Sequence, residues 1–313
     1  MSRLRTAAAL LATALVTVGL ATTGGPGFPG AVAPAAATTT HRVLFDNSKA
    51  ETAGNADWIV SKVQPDPLGE NAHPTTDKNW TGALSSWGIA LQQTGQYSLK
   101  TLPPGGTFTF GTGAPLDLAN FDTVVIPEPN IRFTPDEKAA LMHFVQNGGG
   151  LFLISDHTMS DRNNDGIDSP AIINDLFTDN GVDNSDPFGF SVDLTKIHAE
   201  NPRAVDDPAD PVLHGPFGTV TGSIIRDGTT MTLHPADNPA VKGIVYRPGS
   251  SGDTGAFFVT STFGNGRIAA WGDSSPPEDG TGQPNNALHD GWNDPAGTDA
   301  ALALNATAWL SKA

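Results

Sequence analysis

The sequence predicts an α/β fold: a mostly parallel central sheet with helices on both faces and additional β-strands in the C-terminal half. Three observations predict it. Through the first 180 residues, short apolar and β-branched runs alternate with amphipathic stretches, the pattern of repeated strand–helix units. From residue 188 the texture changes to closely spaced strands. No linker-like run and no internal repeat follows residue 40, so residues 38–313 are expected to form a single domain.

The elements follow in order. HRVLFD (41–46) reads as a strand ending in an acid, WTGALSSWGIALQQTG (80–95) as a helix closed by Gly95, and YSLKTL (97–102) as a second strand. Within PLDLANFDTVVIPEPN the buried strand is Thr123–Pro127. TPDEKAALMHFVQNGGG has Thr134 as N-cap, Pro135 at the first helical position, acids in the first turn and a glycine stop. GLFLIS (150–155) is an apolar strand, and SPAIINDLFTDNG a helix capped by Ser169. FGFSVDL, TTMTLHP, VKGIVYRPG and AFFVTSTFGNGRIAAWGD are strands, with FGNG a hairpin turn, and GTDAALALNATAWL (297–310) is a closing helix.

The start of the chain carries a different signal. MSRLR, then TAAALLATALVTVGLA, then AVAPAAA give a basic start, a short apolar core and small residues, so residues 1–37 read as a secretory signal peptide cut after Ala37. The apolar run Thr6–Ala21 is too short for a stable membrane span, so the cleaved chain is expected to be extracellular and free of the membrane. With no cysteine, disulfides, thiolate metal sites, a cysteine nucleophile and a lipoprotein anchor are excluded. An exported chain without disulfides can stiffen its loops with metal ions instead.

Removing Arg3 and Arg5 with the leader leaves 15 basic residues against 33 acidic ones, and Asp accounts for 27 of the acids. Asp favours loops, caps and hard-cation sites over helix faces. Such a charge argues against nucleic acid and suits a small-molecule or glycan substrate, with the chain expected to act as a monomer.

In open α/β sheets, ligands bind outside the carboxyl ends of the strands. The expected strand ends deliver Asp46, Glu128 with Asn130, Asp156 with His157, and Asp273 with Ser274. Asp46, Glu128, Asp156, His157 and Asp273 are therefore the catalytic candidates. His157 is a general base, a metal ligand or a hydrogen-bonded structural residue, and the residues alone do not choose among these. The loops after the strands add Glu51, Asn55, Asp57, Trp58, Asn130 and Trp292 as substrate-binding candidates, with exposed tryptophans suited to stacking on sugar rings. Core packing is the alternative for each tryptophan.

In ISDHTMSDRNNDGIDSP (154–170), Asp161, Asn163, Asp165 and Gly166 match the start of a calcium loop, with Asp168 two residues later. Position twelve is Ile172 where an EF-hand needs an acid, so this is no EF-hand. The stretch is either a Ca2+ (or other divalent cation) site or an Asx-rich turn. No G-x-S-x-G elbow, P-loop or HExxH appears.

The strand–helix order, the run NGGGLFLISDH and the late GNGRIAAWGD together resemble the class I glutamine amidotransferase-like superfamily. The closer likeness is to its non-amidotransferase branches, such as the trehalose-utilisation-like group and secreted actinobacterial proteins grouped as hydrolases. The resemblance implies a flavodoxin-like three-layer sandwich whose strand after GGG ends at the site. Glutamine hydrolysis through a cysteine elbow is excluded, because there is no cysteine. The leading expectation is a secreted, divalent-cation-dependent hydrolase acting on a glycan or glycan-linked ester. Its rivals are a calcium-stabilised carbohydrate-binding protein and a metal-dependent phosphodiesterase or nuclease.

Overall fold

The computed structural model describes residues 40–313; the leader and its cut site lie outside the described residues. Strands β1 (His41–Asp46), β2 (Tyr97–Leu102), β3 (Thr123–Pro127) and β4 (Gly150–Ile154) are parallel, in the order β2-β1-β3-β4. The late strand Gly266–Trp271 adds to β4 in parallel. Beyond it the sheet turns antiparallel through Ala256–Phe263, Met231–Leu233 and Phe190–Val192, with Lys242–Tyr246 also on Ala256–Phe263. The fold is mixed α/β, with a large central sheet and four α-helices among the described residues.

The helices lie on both faces. Helices α1 (Ser85–Gln93) and α4 (Asp299–Ser311) share one core with Phe152, Phe258 and Trp271, where Trp87 meets Phe152 edge-on at 5.3 Å. Helices α2 (Pro135–Gln146) and α3 (Ser169–Thr178) share the other, with Leu44, Val124 and Leu153. Inward residues alternate along each strand between the two cores, which is why strands buried on both faces read as continuous apolar runs.

Local chemistry explains the boundaries. In α2, Thr134 Oγ1 accepts from the Glu137 amide and Glu137 reaches back to the Thr134 amide, a full capping box. The glycine stop has a packing reason too. Gly148 sits at φ +114°, while a Cβ on Gly149 would come within 2.3 Å of the Phe144 ring and one on Gly150 within 2.7 Å of Leu310. The helix expected over 80–95 shrinks to Ser85–Gln93, because the amides of Ala83 and Leu84 donate to Asp57 O and Ile59 O instead of forming a first turn. Helix α3 is N-capped by Asp168 rather than Ser169. A short ribbon, Ile197–Glu200 with Ile225–Gly228, was not legible in the sequence, being four residues a side and largely polar. It matters because it forms one wall of the site.

Candidate active site

Because β1, β3, β4 and Gly266–Trp271 run parallel, their carboxyl ends meet one edge. Pro127 is level with Ile154, and Ile154 with Trp271. Glu128, Asp156 and Asp273 thus emerge side by side, with Asp46 at the end of β1 on the same edge. All four are buried.

Two of them form a unit with a residue that sequence reasoning passed over. Arg162 donates from Nε to Glu128 Oε1 at 3.0 Å and from Nη2 to Asp156 Oδ2 at 2.7 Å. Its Nη1 reaches Asn55 Oδ1 at 3.3 Å, and its guanidinium lies 5.1 Å from the Trp58 ring centroid. Ser274 Oγ donates to Glu128 Oε2 at 2.7 Å. Both carboxyls thus lean on the one guanidinium. Burial raises Asp156 well above the usual carboxylate range, helped by the charges of Glu128 and Asp273 and opposed by Arg162. Glu128 is raised by burial and held back by Arg162. It stands at φ +40°, a left-handed backbone that is strained for a non-glycine residue and found disproportionately at functional sites.

Asp156 opens into a cleft of about 300 Å³, with His157 and Ser274 beside it and Lys196, Arg226 and Asp227, in and next to the ribbon, on one wall; Glu128 and Asp273 are absent from its lining. On the other side stands Glu278, which accepts from Trp58 Nε1 at 2.6 Å and from the His289 amide. Burial first, then the nearby charges of Asp273 and Glu128, push its carboxyl up to about 8, so it carries a proton at neutral pH. His157 behaves oppositely. Burial, with Lys196 and Arg162 nearby, lowers it from 6.5 and leaves it neutral. Its Nδ1 lies 2.5 Å from Thr158 O and therefore carries the hydrogen, which leaves the Nε2 lone pair free, 3.9 Å from Asp156 Oδ1. Asp273 accepts from the Ser275 amide at 2.7 Å and the Arg226 amide at 2.5 Å, tying the ribbon wall to the floor.

Several expected site residues take other places. Asp46 and Glu51 are both fully buried and are absent from the lining of the cleft. Asp57 is buried and holds Gln283 through its amide at 2.6 Å and its side chain at 3.1 Å. Asn130 positions rather than binds: its Oδ1 accepts from the Arg162 amide at 3.0 Å and its Nδ2 donates to Glu128 O at 2.8 Å. Trp58 is not the exposed platform expected for sugar stacking. Only 4 % of it is exposed, with its face covered by Arg162 and its N–H spent on Glu278. Trp292 packs half-buried against the core on the α1/α4 side.

The loop expected to hold Ca2+ turns its oxygens on its own backbone. Asp161 accepts from the amides of Gly166 at 2.7 Å and Asp165 at 3.1 Å, Asp165 from Ile167 at 3.1 Å, and Asp168 from Met159 at 2.8 Å. Asn163 Nδ2 donates to Asn130 O at 2.6 Å and to Asp165 Oδ2 at 3.0 Å. The tight turn at Gly166 (φ +92°) delivers Arg162 to the carboxyl pair. The acids around Arg162 drew attention in the sequence; the residue that organises them is the one cation among them.

No family model and no curated protein matches the chain. Solved structures do. The N-terminal domain of mmIFT52 superimposes with TM-score 0.50 at 11 % identity, covering 87 % of this chain and 98 % of that one. A cytoplasmic protein of Salmonella typhimurium LT2 gives 0.50 at 13 %, covering 86 % and 99 %. A ThuA-like protein of Parabacteroides merdae gives 0.45 at 14 %, covering 87 % and 90 %. At these identities the likeness concerns the fold alone.

Proposed function

We propose that the cleft is the active site of an exported hydrolase acting on a glycan or glycan-linked ester. One observation carries this: a protonated carboxyl, Glu278, and a neutral imidazole, His157, line the same cleft beside a guanidinium-bridged carboxyl pair. Groups whose environments push their protonation apart are suited to acid–base work at neutral pH. His157 Nε2 takes the proton of an attacking water, and Glu278 gives its proton to the leaving oxygen. Glu128, Asp156 and Arg162 hold the charge of the floor fixed while this happens. A hydroxyl-rich, uncharged substrate suits a lining that offers both donors (Lys196, Arg226) and acceptors (Asp227, Asn55).

Arg162 already supplies the counter-charge of the pair, so a divalent cation belongs in this reading to the Asp161–Asp168 turn, as a staple rather than as the chemistry. Export is supported by the leader-like start. The superfamily assignment to the glutamine amidotransferase-like, flavodoxin-like group is supported by the order β2-β1-β3-β4 followed by Gly266–Trp271, the 2-1-3-4-5 order of that sheet.

The test is a pH–rate profile on a panel of glycans and esters. Turnover should rise as His157 loses its proton, below pH 6.5, and fall as Glu278 ionises near pH 8. Glu278→Gln should abolish the alkaline limb along with most of the turnover. An alkaline limb unchanged in Glu278→Gln would remove Glu278 as the acid. Tight binding with no turnover across the panel would make the protein a binding module.

A further inference from the structure

We propose that Asp186, His234 and Asp237 form a zinc site that staples the outer, antiparallel edge of the sheet. Among the described residues these are the only three His or carboxylate side chains that bring one ligand atom each within 4.8 Å of one another. They lie on the two segments next to the last strand pair. Asp186 precedes Phe190–Val192, His234 follows Met231–Leu233, and Leu233 pairs with Phe190, so the two ends meet. None of the three lines the cleft.

The ligands are placed by a scaffold that does not depend on them alone. The His234 amide donates to Gly189 O at 2.7 Å, and Asn238 Nδ2 ties the same segment to Pro187 O and to Thr262 O, each at 2.7 Å. The Asp237 amide closes a turn onto His234 O at 2.9 Å, which carries the Asp237 carboxylate to the site. Asp186 Oδ1 accepts from the amides of Gly189 at 3.1 Å and Phe190 at 3.2 Å, while Oδ2 lies 2.5 Å from His234 Nδ1. Asp237 is exposed, and its carboxylate makes no hydrogen bond to the described residues. A third ligand thus waits in solvent beside a fixed imidazole–carboxylate couple.

The donor chemistry selects the ion. One imidazole and two carboxylates, with a fourth position open to water, is a tetrahedral N/O set that Zn2+ accepts. Ca2+ prefers six to eight oxygens and no imidazole. The mechanical need is also specific: Phe190–Val192 is a three-residue edge strand in a chain that has no disulfide to pin it.

The experiment strips the purified protein with EDTA and titrates ZnCl2, reading stoichiometry by calorimetry and stability by thermal melting. One equivalent should bind and raise the melting temperature by several degrees. Asp237→Ala should leave the zinc-free melting temperature unchanged, because that side chain holds nothing else, yet weaken zinc binding by at least about tenfold, since even an outer partner of a ligand is worth ~10–100-fold. His234→Ala should abolish the shift. Absence of a zinc-dependent shift in the wild type would overturn the site, as would an equal shift in both variants or an equal response to CaCl2.

Discussion

Two buried carboxyl pairs stand on the same edge of the sheet, and they differ in company. Glu128 and Asp156 share a guanidinium, Glu128 also takes the Ser274 hydroxyl, and Asp156 lines a cleft. Asp46 and Glu51 have no such cation. Ser48 and Lys49 amides cap one oxygen of each at 2.8 Å, while Asp46 Oδ2 and Glu51 Oε1 have no hydrogen-bond partner among the described residues. Lys49, the cation nearest in sequence, sends its ammonium to Glu137 at 2.6 Å instead. A buried carboxyl pair needs one positive charge or one proton to be tolerable. The pair given the cation, and an opening at Asp156, is positioned for chemistry; the sealed pair anchors the loop that follows β1.

The largest expected effect separates the pairs by activity. Asp156→Asn should cut turnover by ~10²–10⁴, the range of a lost acid–base or charge-fixing group, while Asp46→Asn should leave it within about twofold. Equal losses in the two variants, on whichever substrate the wild type cleaves, would erase the distinction.

Stability gives the next. Arg162→Met removes the shared counter-charge and the cover over Trp58. The cost should be about 2–3 kcal/mol in urea unfolding, towards the low end of breaking a buried ion pair because the Arg162 side chain is 22 % exposed. An unchanged midpoint would mean the Glu128–Asp156 pair does not depend on this cation.

A smaller effect concerns the sealed pair. Burial raises Glu51 well above its ordinary 4.5, aided by the charge of Asp46. The proton it keeps on folding therefore contributes stability that is complete below pH 4.5 and is lost as pH rises towards the raised value. Glu51→Gln cannot ionise, so its melting temperature should fall less steeply than that of the wild type as pH climbs from 4.5. Parallel pH–stability curves would show that Glu51 does not keep a proton on folding.

The smallest expected effect is chelation at the Asp161–Asp168 turn. Its oxygens already cap its own amides, so EDTA should lower the melting temperature only slightly through this site, and Asp161→Ala should remove that part of the response. A large fall that Asp161→Ala eliminates would instead give the turn a dominant cation.

By itself the sequence determined the layered α/β plan, the strands leading to Asp46, Glu128, Asp156 and Asp273, and the Thr134 cap and glycine stop of α2. These are local: hydrophobic period, caps and stops act within a few residues, and runs buried on both faces read as continuous apolar stretches. Tertiary structure decided which acids meet. Asp46 and Glu128 look alike in sequence, each an acid at a strand end. They differ because Arg162 arrives at Glu128 from the turn after β4, 34 residues on, while Asp46 finds Glu51 five residues away. Glu278 became the proton carrier only through burial and a contact with Trp58 across 220 residues. The Asp186–His234–Asp237 cluster likewise exists only where two edge strands pair. Protonation and metal affinity depend on desolvation and on the nearest charges, and both are set by contacts the chain makes far from itself in sequence.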